Sequence, residues 1–409
     1  MASEIVLVNV SGEDQPGVMA MLTSTLAQYQ VRVLDVGQAV IHDELNVGML
    51  VQIMNPADKP AVLGDLQRRA GEFGTAVRFT NISEQDYQEW VSSQGKPRYI
   101  VTLLAAGFSG EQMAAVTQVV HAYGLNIDSI RRLSGRIPLH RHNGQARTSI
   151  EMSLRGTVAD PQALKTDLLS AADRLVFDFS VQEDTVYRRN RRLVAFDMDS
   201  TLIEAEVIDE LAKIHGVGAE VAAITERAMR GELVFRDSFR QRAALLGGLE
   251  ESALRQVADA VKLTDGAHRL IRALKMFGYR TAIISGGFQY VGEHLQRELG
   301  IDYVYANRLE IENGVMTGKV DGAIVDAERK AELLLEIARR EGINRQQTIA
   351  IGDGANDLPM LSAAGLGIAY HAKPLVKESA SHAISNFGLD SVLYLLGFTD
   401  RDIETVLSG

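Results

Sequence analysis

Cysteine is absent from this sequence, which excludes disulfides, thiolate nucleophiles and cysteine-held metals. Such a chain suits a reducing compartment, and the cytoplasm is its expected location. Long apolar runs are missing too: no stretch of 18 apolar residues occurs, so no membrane-spanning helix is expected. Met1 to Val10 lack the basic region and apolar core of a secretion signal. Positive charge is not in excess, since 42 Lys and Arg stand against 53 Asp and Glu, a formal net charge of −11. On that balance neither nucleic acid nor an anionic membrane is an expected partner. Aromatic residues make up only 6% of the chain, yet 46% is apolar. That is ordinary globular composition, and the length allows two to four domains with buried cores.

What is present gathers at the ends of a few apolar runs. Leu193-Val194-Ala195-Phe196 reads as a buried strand and runs out into Asp197-Met198-Asp199-Ser200-Thr201. Carboxylates two residues apart at a strand end point the same way, into the crevice where open α/β sheets bind ligands. One can attack while the other moves a proton, and together they can share a cation. Taken alone, such a pair also caps helices and forms turns. Its company decides. A second run, Thr281-Ala282-Ile283-Ile284, ends in Ser285-Gly286-Gly287, a hydroxyl followed by backbone N–H groups bare enough to approach an oxyanion. Lys330 lies in the first turn of the periodic segment Arg329 to Leu335. A third run, Thr348 to Ile351, ends in Gly352-Asp353-Gly354-Ala355-Asn356-Asp357, adding two carboxylates. Four such elements in this order point to phosphoryl transfer through an aspartate.

These elements match the four motifs of the haloacid dehalogenase-like hydrolase superfamily, which the chain resembles over about residues 190–400. Asp197-x-Asp199-x-Thr201 resembles the first motif, Ser285 the second, Lys330 the third, and Gly352-Asp353-Gly354 with Asn356-Asp357 the fourth. Asp199 points to the phosphatase branch, because the leaving oxygen of a phosphate ester needs a proton and a halide does not. The segment Ala228 to Arg242, together with Glu206, resembles the substrate-binding cap of the phosphoserine phosphatases.

The resemblance implies an α/β fold, a Rossmann-like doubly wound parallel sheet with a helical cap inserted at about 204–262. Gly216, Gly218, Gly231, Gly247 and Gly248 offer that cap flexible points. The implied reaction is Mg²⁺-dependent hydrolysis of O-phospho-L-serine to L-serine through an aspartyl-phosphate, the last step of serine biosynthesis. Asp197 would be the nucleophile and Asp199 the general acid and base, with Ser285, Gly286, Lys330 and Asn356 around the phosphate. Asp197, Asp353 and the backbone carbonyl of Asp199 would hold the metal, with Asp357 steadying them. Oxygen donors suit Mg²⁺, although Mn²⁺ would satisfy the same ligands. Glu206 suits the substrate ammonium and Arg242 its carboxylate. Met229 and Phe235 would form an apolar wall that closes over the substrate.

The N-terminal half is built differently. Residues 5–10 alternate as a strand, and Asp14-Gln15-Pro16-Gly17 opens a helix with proline suited to its first turn. Val18, Leu22, Leu26 and Tyr29 follow at helical spacing, and Val47, Met49, Val51 and Ile53 alternate as a half-buried strand. The pattern returns in the strand Ile100 to Leu104 and the stripe Met113, Val116, Val120 and Tyr123. Tyr29 to Val33 aligns with Tyr123 to Ile127 at an offset of 94 residues, which reads as two diverged βαββαβ copies. The first copy resembles an ACT domain, a regulatory module of amino-acid metabolism, with Asp14-x-Pro16-Gly17 at the turn that commonly holds an effector. In the second, Gly107-Phe108-Ser109-Gly110 replaces that turn. The expected organisation is two ferredoxin-like (ACT) α+β domains at 1–92 and 93–186, then a phosphatase domain at 187–409. ACT modules pair through their sheets, which implies a homodimer. Gly17 and Gly107 are the candidate contacts for free serine acting as a feedback effector.

Two basic stretches carry no function in this reading. Arg188-Arg189-Asn190-Arg191-Arg192 reads as a solvated linker against an acidic neighbour. His140 and His142, with Arg136, Arg141 and Arg147, read as an exposed hairpin loop whose spacing fits no zinc pattern. The motifs define chemistry and not substrate, so a phosphatase of another small ester or of a phosphoprotein stays open. So does a serine-sensing regulatory protein.

Overall fold

A computed structural model of the chain describes residues 3–136, 138, 147–380 and 382–408. It divides into two compact units, Met1–Lys96 and Pro97–Gly409. In the first, β1 (Glu4–Glu13), α1 (Val18–Gln28), β2 (Arg32–Ile41), β3 (Glu44–Ile53), α2 (Lys59–Glu72) and β4 (Ala76–Ile82) precede α3 (Glu84–Ser93). The sheet is antiparallel in the order β2-β3-β1-β4. Alternation explains its one-sided core: Val6, Val8 and Val10 of β1 and Val47, Met49, Val51 and Ile53 of β3 turn towards Leu22 and Leu26 of α1 and Val62 and Leu66 of α2. Pro16 does not enter the first helical turn as expected. Gly17 takes a left-handed conformation (φ 103°) as the N-cap, so the helix starts at Val18 and the proline stands outside it.

The second unit opens with β5 (Arg98–Ala105), α4 (Gly110–Ala122), β6 (Asn126–Arg132), β7 (Thr148–Arg155), α5 (Pro161–Leu175) and β8 (Asp178–Glu183). Their order β8-β5-β7-β6 repeats the order β4-β1-β3-β2, giving a second ferredoxin-like sheet with its own core around Val101, Leu103, Met152 and Leu168. The expected hairpin with His140, Arg141 and His142 lies outside the described residues. Beside it, Arg147 donates to Asp390 at 2.7 Å.

β9 (Leu193–Phe196) then begins the larger sheet. Four cap helices follow, α6 (Val207–His215), α7 (Gly218–Met229), α8 (Phe235–Ala244) and α9 (Ser252–Ala260). The chain continues through α10 (Ala267–Met276), β10 (Arg280–Phe288), α11 (Gln289–Leu299), β11 (Tyr303–Glu312), β12 (Val315–Asp321), α12 (Ala327–Arg340), β13 (Thr348–Gly352), α13 (Leu358–Ala363), β14 (Leu366–Tyr370), α14 (Pro374–Ser379) and β15 (His382–Ile384). α15 (Val392–Leu395) and α16 (Asp400–Ser408) close it. The strands pair in parallel in the order β11-β10-β9-β13-β14-β15, and β12 joins β11 antiparallel at the edge. Both faces are buried: Val194 and Phe196 join one apolar cluster, Leu193 and Ala195 the other. That is why these strands read as unbroken apolar runs.

β15 pairs antiparallel with β8, so the two sheets run together into eleven strands. Side chains reinforce this short join. Both oxygens of Asp178 accept N–H groups, from Ser385 and Asn386, each at 2.9 Å. The arginine run belongs here: Arg189 and Arg192 are exposed and Arg189 pairs with acidic Asp184 as expected, but the expectation of a solvated linker is corrected for Arg188 and Arg191. Arg188 is 6% exposed and pairs with Glu151 at 2.5 Å, and Arg191 is 8% exposed and donates to the Gln346 carbonyl. Their charges are consumed within the fold because the connection from β8 to β9 crosses the join itself.

At the same join His382 is buried, with Nδ1 at 2.8 Å from Ser180 Oγ. Burial, helped by Lys165 and Arg191, pushes its imidazole down to about 3 from an ordinary 6.5. The folded chain therefore keeps it neutral, while the unfolded chain takes up a proton below pH 6.5. Stability from this group is complete above that pH and is lost as pH falls towards 3. His382→Asn should flatten the acid side of the stability profile, and the wild type should lose about 2 kcal/mol more than the variant between pH 7 and 5. Parallel denaturant titrations at both pH values check this; equal losses would mean the imidazole is not held neutral.

Candidate active site

Three neighbouring strand ends build the site. Phe196 is level with Ile283 on β10 and with Ile351 on β13. Asp197, Ser285 and Asp353 therefore emerge at one edge of the sheet, where the connections from β9 diverge to either side. The Asp197 N–H donates to the Ile351 carbonyl at 2.8 Å, and its own Oδ1 accepts from the Met198 N–H at 2.8 Å. Ser200 sits at φ 58°, turning the chain back so that its hydroxyl donates to Glu206 Oε1 at 2.7 Å.

The β10 end is shaped by close approach. Its pairing with β11 shifts between Ile284 and Phe288, which frees Ser285-Gly286-Gly287 from the ladder. A Cβ on Gly287 would lie 2.7 Å from Asp199 Oδ2, and one on Gly286 would lie 3.0 Å from the Phe235 ring. Neither position has room for a side chain. The sequence reading overlooked Asn307, which is 1% exposed. Its amide donates to the Gly286 carbonyl at 2.8 Å and accepts from the Val325 N–H at 2.8 Å, fixing the glycine turn from beneath.

Lys330 stands on the first turn of α12, whose start is capped by Asp326. It is 1% exposed, and its Nζ lies 2.9 Å from Asp197 Oδ1 and 2.7 Å from Asp357 Oδ1. Burial would lower its pKa, but the two carboxylates outweigh that and raise it. Asp353 accepts from the Thr201 hydroxyl at 3.1 Å, and burial together with Asp197 pushes its carboxyl up to about 6. Asp357 is raised by burial and by Asp197, with Lys330 opposing. Asp199 is raised well above the usual carboxylate range, first by burial and then by Glu206 and Asp197. Its Oδ1 has no hydrogen-bond partner among the described residues. A buried acid whose carboxyl is held above the usual carboxylate range is equipped to give a proton to a leaving group.

Asp197, Asp353 and Asp357 can each turn one oxygen to within 4.8 Å of the others. An all-oxygen donor set of three crowded carboxylates fits a hard divalent cation. The Asp199 carboxylate is not part of that cluster; the sequence reading gave a metal only its carbonyl.

The cap closes the space above. A cavity of about 470 Å³ is lined by Asp197, Asp199, Ser285, Gly286, Asp353 and Asn356 from the sheet and by Glu206, Met229, Phe235 and Arg242 from the cap. Phe235 stacks on Phe239, which packs against Phe288, while Met229 remains 66% exposed. Arg236 pairs with Asp326, joining the cap to the start of α12. Gly17 and Gly107 belong elsewhere. Gly17 lies under the Phe73 ring in the first unit, and Gly107 is open before α4 in the second.

A family model for haloacid dehalogenase-like hydrolases matches residues 191–365, and one for the ACT domain matches residues 4–80. The phosphoserine phosphatase of Streptomyces coelicolor is 41% identical over 405 residues, covering 97% of this chain and 93% of that protein. The chain belongs to the phosphoserine phosphatase family of haloacid dehalogenase-like hydrolases. The Mycobacterium tuberculosis phosphoserine phosphatase is 39% identical over 99% of this chain and 96% of its own. Among solved structures, a haloacid dehalogenase family hydrolase from Salmonella enterica serovar Typhi superposes with a TM-score of 0.62 at 31% identity, covering 73% of this chain and 98% of that one. The expected catalytic fold and an N-terminal ACT domain are thereby established for this hydrolase.

Removing the buried ammonium tests the electrostatics directly. Lys330→Met would leave Asp197 and Asp357 facing each other out of water, and should destabilise the metal-free protein by about 3–5 kcal/mol. Chemical denaturation in EDTA measures this; a variant as stable as the wild type would show that the two carboxylates do not depend on Lys330.

Proposed function

We propose that this chain hydrolyses O-phospho-L-serine to L-serine and phosphate, with Asp197 as nucleophile. The carrying observation is the cavity that sets Glu206 and Arg242 of the cap opposite Asp197 and Ser285 at the strand ends of the sheet, with Lys330 of α12 buried behind Asp197. Ser285 and the Gly286 N–H hold the non-bridging oxygens, and Lys330 and Asn356 add positive and polar contacts. Asp197 attacks phosphorus in line as the bond to the serine oxygen breaks, and Asp199 gives that oxygen its proton. Asp199 then takes a proton from the water that cleaves the aspartyl-phosphate. Mg²⁺ held by Asp197, Asp353 and the Asp199 carbonyl, steadied by Asp357, would offset the charge of a phosphate that is about doubly negative. Glu206 receives the substrate ammonium and Arg242 its carboxylate, and Met229 and Phe235 exclude water. We infer that the enzyme acts at the end of serine biosynthesis and in the cytoplasm.

We read residues 1–92 and 93–186 as two ACT-like domains before a phosphatase domain at 187–409. The second copy rests on the repeated strand order. Serine as effector, held near Gly17 and Gly107, and a homodimer paired through these sheets complete the proposal. Calorimetry of the full chain with serine tests the effector role, and absence of heat would remove it.

Phosphate release from phosphoserine, phosphothreonine and an aryl phosphate, with Mg²⁺ and with EDTA, tests the activity. Preference for phosphoserine, lost in EDTA, is the expected result. Metal-dependent release from the aryl phosphate alone would keep the chemistry and discard the substrate, and no release at all would favour a serine sensor. Asp197→Asn should abolish turnover in a folded protein, a loss of at least about 10⁴-fold in kcat. Substantial residual activity would reassign the nucleophile. Arg242→Ala should raise KM for phosphoserine about 10²-fold, the effect of an unpaired charged contact, while leaving the aryl phosphate nearly unchanged. Equal effects on both would mean that Arg242 does not read the carboxylate.

A further inference from the structure

The cap contributes a buried hydroxyl that none of these contacts employs. Ser238 lies on α8 one turn before Arg242 and lines the same cavity. It is 1% exposed, and its Oγ has no hydrogen-bond partner among the described residues. A helical hydroxyl ordinarily returns its proton to the carbonyl one turn back, as Thr225 does to Val221 at 3.0 Å on the neighbouring α7. Ser238 does not. A buried hydroxyl without a partner is destabilising, and alanine would be the better helix former at this position.

Arg242 is in the same condition. Its Nε is buried without a partner, and among the described residues its guanidinium enters no ion pair. Residues four apart share one helix face, so two unsatisfied donors stand side by side on one wall of the cavity. A planar anion with two acceptor oxygens satisfies both. The ammonium side is separately furnished by Glu206, whose Oε1 is already steadied by Ser200.

We propose that Ser238 is a specificity-determining residue whose hydroxyl donates to the substrate carboxylate beside Arg242. This rests on the phosphoserine reading above. It adds a second donor to carboxylate recognition and explains why an unpaired hydroxyl is carried inside the cap.

The test compares phosphoserine with phosphoethanolamine, which keeps the phosphate and ammonium but has no carboxylate. In Ser238→Ala, KM for phosphoserine should rise about tenfold with kcat within about twofold. KM for phosphoethanolamine should stay unchanged, and the unliganded variant should melt at the wild-type temperature or above it. Equal changes for both substrates, or none, would overturn the proposal. A lowered melting temperature with loss on both substrates would also overturn it, by making Ser238 a structural residue. Wild-type enzyme that does not hydrolyse phosphoserine would remove the phosphoserine reading and this inference together. Wild-type activity with a kinetically silent Ser238→Ala would remove this inference alone.

Discussion

The site depends on one buried cation. Asp197, Asp199, Asp353 and Asp357 crowd the end of three adjacent strands, and without compensation their ionised forms would repel one another out of water. Lys330 bonds two of them at once, at 2.9 and 2.7 Å, from a position with 1% exposure. Desolvating an ammonium costs several kcal/mol, and only a pair of well-placed carboxylates offsets it. The reach of Nζ is set by the start of α12, and that start is set by the Asp326 cap. Asp357 is pressed so close to the β13 end that a Cβ on Gly352 would lie 2.4 Å from its Cγ. The Asp197 carboxylate is thus oriented from behind by Lys330, which Asp357 holds in turn.

The architecture divides recognition from chemistry. Groups suited to a phosphate sit on strand ends of a sheet buried on both faces, where positions are rigid. Groups suited to an amino acid sit on the cap, where Glu206 leads into α6 and Arg242 lies near the end of α8. The Arg236–Asp326 pair ties the cap to the helix that carries Lys330. Closing the cavity and holding the ammonium in place therefore use one helix start. The two layers are electrostatically coupled as well, since Glu206 at the cap helps to raise the Asp199 carboxyl beneath it.

Legibility in the sequence followed the locality of the signal. Asp197, Ser285 and Asp353 could be read because each follows an apolar run, and parallel strands buried on both faces write such runs plainly, while Lys330 was marked by the periodic helix it helps to open. Asn307 could not be read, since its role is to bridge Gly286 and Val325, 21 and 18 residues away, and nothing beside it in the chain marks that. Pro16 was misplaced because proline fits the first turn of many helices, whereas here the left-handed Gly17 sets the start. Arg188 and Arg191 were misread for a different reason. Charge next to a domain boundary is usually solvated, but this boundary is a hydrogen-bonded join between two sheets.

That join decides how far the second ferredoxin-like sheet can act as a separate body. A free edge at β8 would expose unpaired backbone groups; β15 covers it, and Asp178 binds the two N–H groups that follow β15. The next residues pack hard against the catalytic fold. A Cβ on Gly388 would lie 2.6 Å from Asp265 Oδ2, and the Leu389 N–H donates to the Asp265 carbonyl at 2.7 Å. Beside Asp265, the Thr264 N–H donates to Leu202, in the turn that follows the paired carboxylates. Backbone bonds and close packing thus run without a gap from β8 to the loop carrying Asp197 and Asp199. The second ferredoxin-like sheet is in this way packed onto the same fold that carries the paired carboxylates, with the density usual of a protein interior.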